Sequence, residues 1–365
     1  MPTKQQVIEQ ARRSVGTVEN ATHALSAVSE APSGGGLESM GGGLESLPTR
    51  APRAGAAVVE SSPVQRAVAE ERRQVVADGI EGMKKIELGR ADDIRPHEQA
   101  GLEAIILLTG RPALLIQDGT FMEPPPLWAD LKTARDQIDS VIARVGRIEV
   151  SGNPNFDWLG TGFLVSADVV VTNRHVAMEF AKNASDGTWK FRSPMGSSVD
   201  FKEEFGSGDS LAFDVKEILG IHDDYDMALL RVEQTSGHKT LPEPLPVAAA
   251  APAAAVTGRK VYVIGYPAWD GRRNDPEPMR RIFSDIYNVK RLQPGQVSGE
   301  TLASFEIQHD CSTLGGNSGS PVIDLETHRV LALHFGGRYM ENNHAIPLWL
   351  LQSDPLVQRA QLNFQ

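Results

Sequence analysis

Apolar positions fall into three patterns along the chain. Residues 31–57 have none worth the name: the near repeat GGGLES, GGGLES runs into LPTRAPRAGAA, too rich in Gly, Pro and small residues to bury a core. The reading is a flexible linker. The preceding segment, Lys4 to Glu30, has weak helical spacing and reads as a short helix with no core of its own. Between Pro63 and Val145 the spacing turns helical, with Val76, Ile80 and Met83 in one stripe and Leu102, Ile105, Ile106 and Leu108 in a second that stops at Gly110. A short strand at Ala113 to Ile116, turned by Asp118 and Gly119, precedes a third helix carrying Leu131, Ala134, Ile138, Val141, Ile142 and Val145.

Beyond Arg147 the period changes. Short β-branched runs (GFLV, DVVVT, KEILGI, MALLRV, KVYVIGY, SPVID, RVLALHF) alternate with Gly, Pro and Asp. Many short strands with turn signals between them predict an all-β barrel or sandwich domain of some 220 residues. The predicted organisation is a low-complexity region and linker over 1–62, a small helical regulatory or adaptor module over 63–145, and a mainly β domain over 146–365.

Composition narrows the function. The formal net charge is −11, from 36 basic and 47 acidic residues, and neither the helical nor the β part carries the basic surplus that phosphate binding favours. The densest basic stretch, Arg272 to Arg291, is interleaved with acids and reads as a solvated loop. No apolar run approaches the roughly 20 residues of a bilayer crossing, and the start MPTKQQVIEQ carries no secretory apolar core. One cysteine, Cys311, allows no internal disulfide, so a cytoplasmic setting without nucleic-acid or membrane partners is expected. The nine histidines are scattered without ligand spacing, and neither metal nor cofactor is expected.

Three motifs in the β region carry chemistry: TNRHVA around His175, DYDMALL around Asp226 and GGNSGSP around Ser318. A serine hydroxyl is a poor nucleophile until an imidazole takes its proton, and that imidazole needs a carboxylate to fix its tautomer. Asp223 and Asp224 are rivals for that role. Asp226 is preferred because it alone directly precedes the apolar strand that would hold it beneath the histidine. An α/β-hydrolase elbow is excluded, since residue 320 is serine where GxSxG needs glycine and the acid and histidine come first in the chain.

Together with GTGFLV, GYP, TLGGNSGSPV and LALHFGG, these motifs resemble a trypsin-fold serine protease, closest to the bacterial glutamyl-endopeptidase branch, over residues 147–365. The resemblance implies two six-stranded β-barrels with the triad in the cleft between them. It implies Ser318 as nucleophile, His175 as general base and Asp226 as its orienting acid, with the backbone N–H groups of Gly316 and Ser318 as oxyanion hole. Asn317 stands where animal trypsins have an aspartate, which removes activation by a freed amino terminus. The pocket-base position is Ser312, with no carboxylate for a basic substrate side chain. Thr313 and His334 match the positions that hold a substrate carboxylate in glutamyl endopeptidases, the histidine donating hydrogen bonds and, if protonated, charge. Cys311, beside the pocket, reads as a buried small hydrophobe.

The expected function is an intracellular serine endopeptidase acting on protein or peptide substrates, with residues 63–145 as the place for a regulatory partner. A catalytically idle binding module on the same fold and a protein-quality-control protease of broad specificity are the competing readings.

Overall fold

The structure is a computed structural model that describes residues 3–30, 63–253, 255–269, 283, 285–337 and 342–365. The linker assigned to 31–57 lies outside the described residues.

Four helices open the chain: α1 (Lys4–Ser14), α2 (Val18–Glu30), α3 (Pro63–Glu87) and α4 (Pro96–Ile105). Thr3 starts α1 with a reciprocal cap, its hydroxyl accepting from the Gln6 N–H while the Gln6 side chain accepts from the Thr3 N–H. The face of Val7, Ile8, Ala11 and Val15 is fully or nearly buried and meets Val76, Ile80, Met83, Leu102 and Ile105 of α3 and α4. This corrects the reading of Lys4–Glu30 as a segment without a core. Its weak periodicity is that of a helix whose apolar partners stand more than sixty residues further on.

The helical region also ends earlier than Val145. After Gly110 the chain forms the hairpin β1 (Leu114–Gln117) and β2 (Thr120–Phe121), then the helices α5 (Ala129–Thr133) and α6 (Arg135–Ile142). Leu131, Ile138, Val141, Ile142 and Val145 are buried in one cluster with Phe163, Val171, Leu229, Tyr262, Ile264 and Leu333, so this segment belongs to the core of the β domain.

Two barrels follow. The first closes through β3 (Val145–Ser151), β4 (Trp158–Leu164), β5 (Val169–Thr172), β8 (Gly196–Asp200), β9 (Ala212–Ile221) and β10 (Ala228–Val232). After β5 comes the one-turn helix α7 (Arg174–Ala177), and two small hairpins lie outside the barrel, β6 (Ala181–Asn183) with β7 (Trp189–Phe191) and β11 (Thr235–Ser236) with β12 (Lys239–Thr240). The second barrel closes through β13 (Lys260–Gly265), β14 (Arg291–Thr301), β15 (Glu306–His309), β16 (Pro321–Asp324), β17 (Val330–Gly337) and β18 (Asn343–Pro347), with β13 pairing both β16 and β14. Strand β1 extends this sheet beside β14, Leu114 opposite Leu292. A last helix, α8 (Pro355–Ala360), is capped by Asp354. The fold is mainly β, two six-stranded antiparallel barrels preceded by helices, as the sequence predicts.

Lys290 and Arg291 depart from the solvated-loop reading. Both are buried at the start of β14. The Lys290 ammonium donates to the carbonyls of Ile142 (3.0 Å) and Phe201 (2.7 Å), and the Arg291 guanidinium to those of Ala113, Phe283 and Ile286. Carbonyl acceptors brought in from distant segments make these buried cations tolerable. Desolvation still pulls Lys290 down to about 8 and Arg291 to about 9.

Candidate active site

Register brings the histidine and the aspartate together. Thr172, the last residue of β5, pairs with Ala228, the first of β10. The residues just after one and just before the other, His175 and Asp226, are therefore neighbours. The Asp226 Oδ2 atom lies 2.6 Å from His175 Nδ1, and Oδ1 accepts the His175 backbone N–H at 2.9 Å. Asn173 Nδ2 donates to the Asp226 carbonyl at 2.8 Å and fixes the loop from behind. Burial pushes the Asp226 carboxyl up, but the hydrogen bond and charge of His175 outweigh it, so the net shift is below the usual carboxylate value. The His175 side chain is 51% exposed and that of Asp226 22%, so the ring faces solvent while its acid is sheltered. Asp223 and Asp224 are exposed, and among the described residues neither carboxylate bonds to His175.

Ser318 lies on the loop before β16 of the second barrel, with its backbone near the helix of His175. Its carbonyl accepts the Thr161 N–H at 2.8 Å. At Gly160 a β-carbon would stand 2.8 Å from that carbonyl and 2.9 Å from Val176, the residue after His175. A single glycine therefore separates the Ser318 backbone from the helix of His175. Among the described residues the Ser318 hydroxyl has no hydrogen-bond partner, a looseness common in substrate-free sites.

The loop before Ser318 has an unusual pattern of donors. Asn317 N–H donates to Leu314, Gly319 N–H to His334 and Ser320 N–H to Asn317. Among the described residues the N–H groups of Gly316 and Ser318 have no acceptor. Gly316 has φ +86°, and a β-carbon there would fall 2.3 Å from the Tyr266 carbonyl and 2.6 Å from the Trp158 ring, which excludes every larger residue. Thr161 braces the same turn, its hydroxyl donating to the Gly316 carbonyl at 2.8 Å. Two backbone donors left without acceptors beside a serine can stabilise an oxyanion.

The predicted pocket residues line one side of the loop. Thr313 Oγ1 donates to Asn343 Oδ1 at 2.7 Å, and Asn343 Nδ2 donates to the Cys311 carbonyl at 2.6 Å. Ser312 Oγ is turned away to the Arg111 carbonyl at 2.7 Å. Cys311 is buried, and desolvation holds its thiol well above its ordinary value, as an inert core residue requires. His334 is 2% exposed and stands 3.1 Å from His309, its Nδ1 against His309 Nε2. Desolvation first, then the nearby His175 and His344, pull His334 down to about 3, so it is neutral near pH 7 in the empty pocket. Of the two contributions expected of it, hydrogen bonding and, if protonated, charge, only the first is available in the empty pocket.

The tautomer follows from satisfaction. His309 Nδ1 is buried with no partner. A buried acceptor without a partner is tolerated better than an orphaned N–H. His309 Nε2–H therefore donates to His334 Nδ1, and the second His334 nitrogen carries a proton available to a bound group.

His309, Asn343, Thr161 and Arg111 were not legible in sequence as parts of this region. Of these Thr161 lies in the GTGFLV motif and Asn343 in the segment NNHAIPL, neither of which marks the residue's role. Among the described residues no group of three or more His, Cys, Asp or Glu is placed to hold a metal ion, and no helix is long and apolar enough to cross a membrane.

Residues 160–333 match the family model of the trypsin-like peptidase domain. A Lysobacter enzymogenes protein named "Probable serine protease" is 29% identical over 309 residues, which cover 75% of this chain and 79% of that protein. The glutamyl endopeptidase of Staphylococcus aureus strain MW2 is 25% identical over 212 residues, 58% of this chain and 56% of that protein, so the match spans little more than half of its length. The crystal structure of the Rv3671c protease of M. tuberculosis in its active form is 21% identical, with TM-score 0.41 over 62% of this chain and 84% of that one. The motifs, the pair of closed barrels and the match over residues 160–333 agree on a trypsin-like peptidase domain.

Proposed function

We propose that the chain is an endopeptidase working through Ser318, His175 and Asp226 and cleaving after acidic residues, chiefly Glu. The observation that carries the catalytic part is the His175–Asp226 pair facing a loop whose Gly316 and Ser318 N–H groups lack acceptors. In this reading Ser318 Oγ attacks the scissile carbonyl while His175 Nε2 takes its proton and later returns it to the leaving amine. Asp226 stabilises the imidazolium, and the two N–H groups bind the oxyanion.

Acidic preference is supported by Thr313 and by the His334 donor set by His309. A substrate carboxylate brought into this pocket would find the His334 ring N–H, and the Thr313 hydroxyl once it turns from Asn343 Oδ1, whereas an apolar side chain would leave the ring N–H unused. The net negative charge works against long-range attraction of acidic substrates, so the preference has to arise from these short contacts. The Staphylococcus relative is named a glutamyl endopeptidase, which favours the same assignment. A cytoplasmic setting, and regulation or recruitment through the N-terminal helices, complete the proposal. The lone cysteine favours the first, and the packing of α1 beside the pocket favours the second.

The test is to digest a peptide library and sequence the cut sites. Cleavage after Glu, less often Asp, is expected. His334→Ala should lower kcat/KM for glutamyl peptides by about 10- to 100-fold, the cost of a buried carboxylate losing a donor, and change turnover of neutral substrates far less. With His334 neutral in the empty pocket, its titration should not appear in kcat/KM between pH 5 and 8, because that ratio reports the free enzyme. Cleavage chiefly after Leu, Phe, Ala or Arg would refute the specificity and leave the triad untouched.

A further inference from the structure

In the proposed reading the segment Asp310–Thr313 forms one wall of the pocket, and three side chains hold it. Asn343 takes the Cys311 carbonyl and the Thr313 hydroxyl and lies within the second barrel. The other anchors come from the N-terminal side of the chain. Arg13 of α1 pairs with the buried Asp310 carboxylate at 3.1 Å. Arg111 donates through Nη1 to the Asp310 carbonyl at 3.1 Å and through Nη2 to Gln10 of α1 at 2.7 Å, while its own carbonyl accepts the Ser312 hydroxyl. Arg111 is 5% exposed. The Gly110 backbone lies against the end of α1, where a β-carbon would come within 2.7 Å of Ser14.

We propose that the N-terminal helices are a structural part of the specificity pocket: Arg111 and Arg13 are positioning residues that hold Asp310–Ser312 in its substrate-binding shape, so that displacement of α1 weakens substrate binding. The inference rests on the reading of Ser312 and Thr313 as pocket residues.

The physical reasoning is one of alternatives. Among the described residues the other Asp310 carboxylate oxygen accepts the Gln296 N–H, at 2.7 Å, so loss of Arg13 removes the ion-pair partner of a buried carboxylate. A buried charge that loses its partner forces the backbone to seek water. Outward movement at Asp310 would release the Arg111 bond to the same residue and free Ser312 to rotate. Arg111 bridges both sides, because one guanidinium nitrogen faces α1 and another faces the pocket wall. A lysine could satisfy one of those acceptors, not both in the same geometry. The helices thereby offer a handle: a partner that pulls α1 away would lower affinity for peptides without touching Ser318.

The experiment compares full-length wild type with Arg13→Ala, Arg111→Ala and Arg111→Lys. Each is assayed for kcat and KM on a cleaved peptide, for inactivation by diisopropyl fluorophosphate, whose small groups make no demand on the pocket, and for amide exchange at Cys311–Thr313. The expected result is a KM rise of about tenfold for Arg111→Ala and about threefold for Arg13→Ala, the scale of one lost charge-assisted bond. Inactivation should stay within about twofold of wild type, amide exchange should quicken in both alanine variants, and Arg111→Lys should be intermediate. Unchanged KM with unchanged exchange, or a KM rise matched by an equal loss of inactivation rate, would overturn the proposal. Should Arg111→Ala fail to fold, Arg13→Ala decides by the same readouts, since Arg13 is half-exposed. Failure of wild type to be inactivated at all would indict the active-site reading instead, while the exchange data would still report on the brace.

Discussion

Replacing Asp226 by asparagine changes one heavy atom and reverses a hydrogen-bond pattern. Both carboxylate oxygens are acceptors, one for the His175 backbone N–H at 2.9 Å and one for the ring Nδ1 at 2.6 Å. An asparagine has one acceptor. Its carbonyl must take the backbone N–H, because the reverse orientation sets an NH₂ group against a main-chain N–H that cannot turn away. The NH₂ then faces Nδ1 and donates to it, which moves the ring proton to Nε2. An imidazole protonated on Nε2 cannot accept the serine proton, so the base is lost while the fold is kept. The same replacement in a chymotrypsin-like triad lowers kcat about 10⁴-fold, which at about 1.36 kcal/mol per tenfold corresponds to about 5 kcal/mol. The assay is kcat on an internally quenched peptide mixture, normalised to folded protein by circular dichroism, with Asp223→Asn and Asp224→Asn beside it. The two neighbours should stay within about threefold of wild type, since surface substitutions away from the site act weakly. The lowered carboxyl of Asp226 also stabilises the fold above the usual carboxylate range and loses that effect as pH falls through its folded pKa. A modest drop in melting temperature at pH 7 is therefore expected for Asp226→Asn. Retention of more than about a tenth of wild-type kcat would refute the reasoning, since a reversed tautomer leaves no base.

Ile142→Ala should destabilise the β domain by about 2–5 kcal/mol in urea unfolding, because Ile142 is fully buried among both barrels; a loss confined to a separate early transition would place α6 with the N-terminal helices instead. Burial pushes the Glu149 carboxyl up to about 7 against the pull of Arg147, with Glu203 and Asp200 adding to the rise. A raised carboxyl binds protons more tightly folded than unfolded, so its contribution is full below about pH 4.5 and is lost as pH climbs through 7. Relative to Glu149→Gln, wild type should lose on the order of 1–3 kcal/mol across that window, and parallel urea profiles for the two proteins would contradict the shift.

Strands were legible where β-branched runs sit between turn residues: VVVT, MALLRV and VYVIG all appear as strands. The candidate triad was readable for a different reason, since its three motifs keep their order whatever the intervening loops do. Legibility failed where the deciding partner lies far off in the chain. Val145 continues the apolar spacing of α6 yet opens β3, because its pairing with Phe163 outweighs the local helical period. Lys290 and Arg291 read as solvated because their charge is local, whereas the carbonyls that receive them belong to residues up to 178 positions away. The same holds for His334. The motif singled it out, but its neutrality depends on burial and on His175 and His344, which no motif spacing reveals.

The central claim is that Ser318 is a nucleophile activated by His175. Treatment of the purified chain with a fluorophosphonate probe, followed by mass analysis of the peptide around residues 314–322, tests it most directly. The account predicts a single adduct on Ser318, absent from Ser318→Ala and reduced by several orders of magnitude in rate in His175→Ala, because the members of a triad act as a unit. Equal labelling of wild type and Ser318→Ala, or an adduct at another serine, would contradict it.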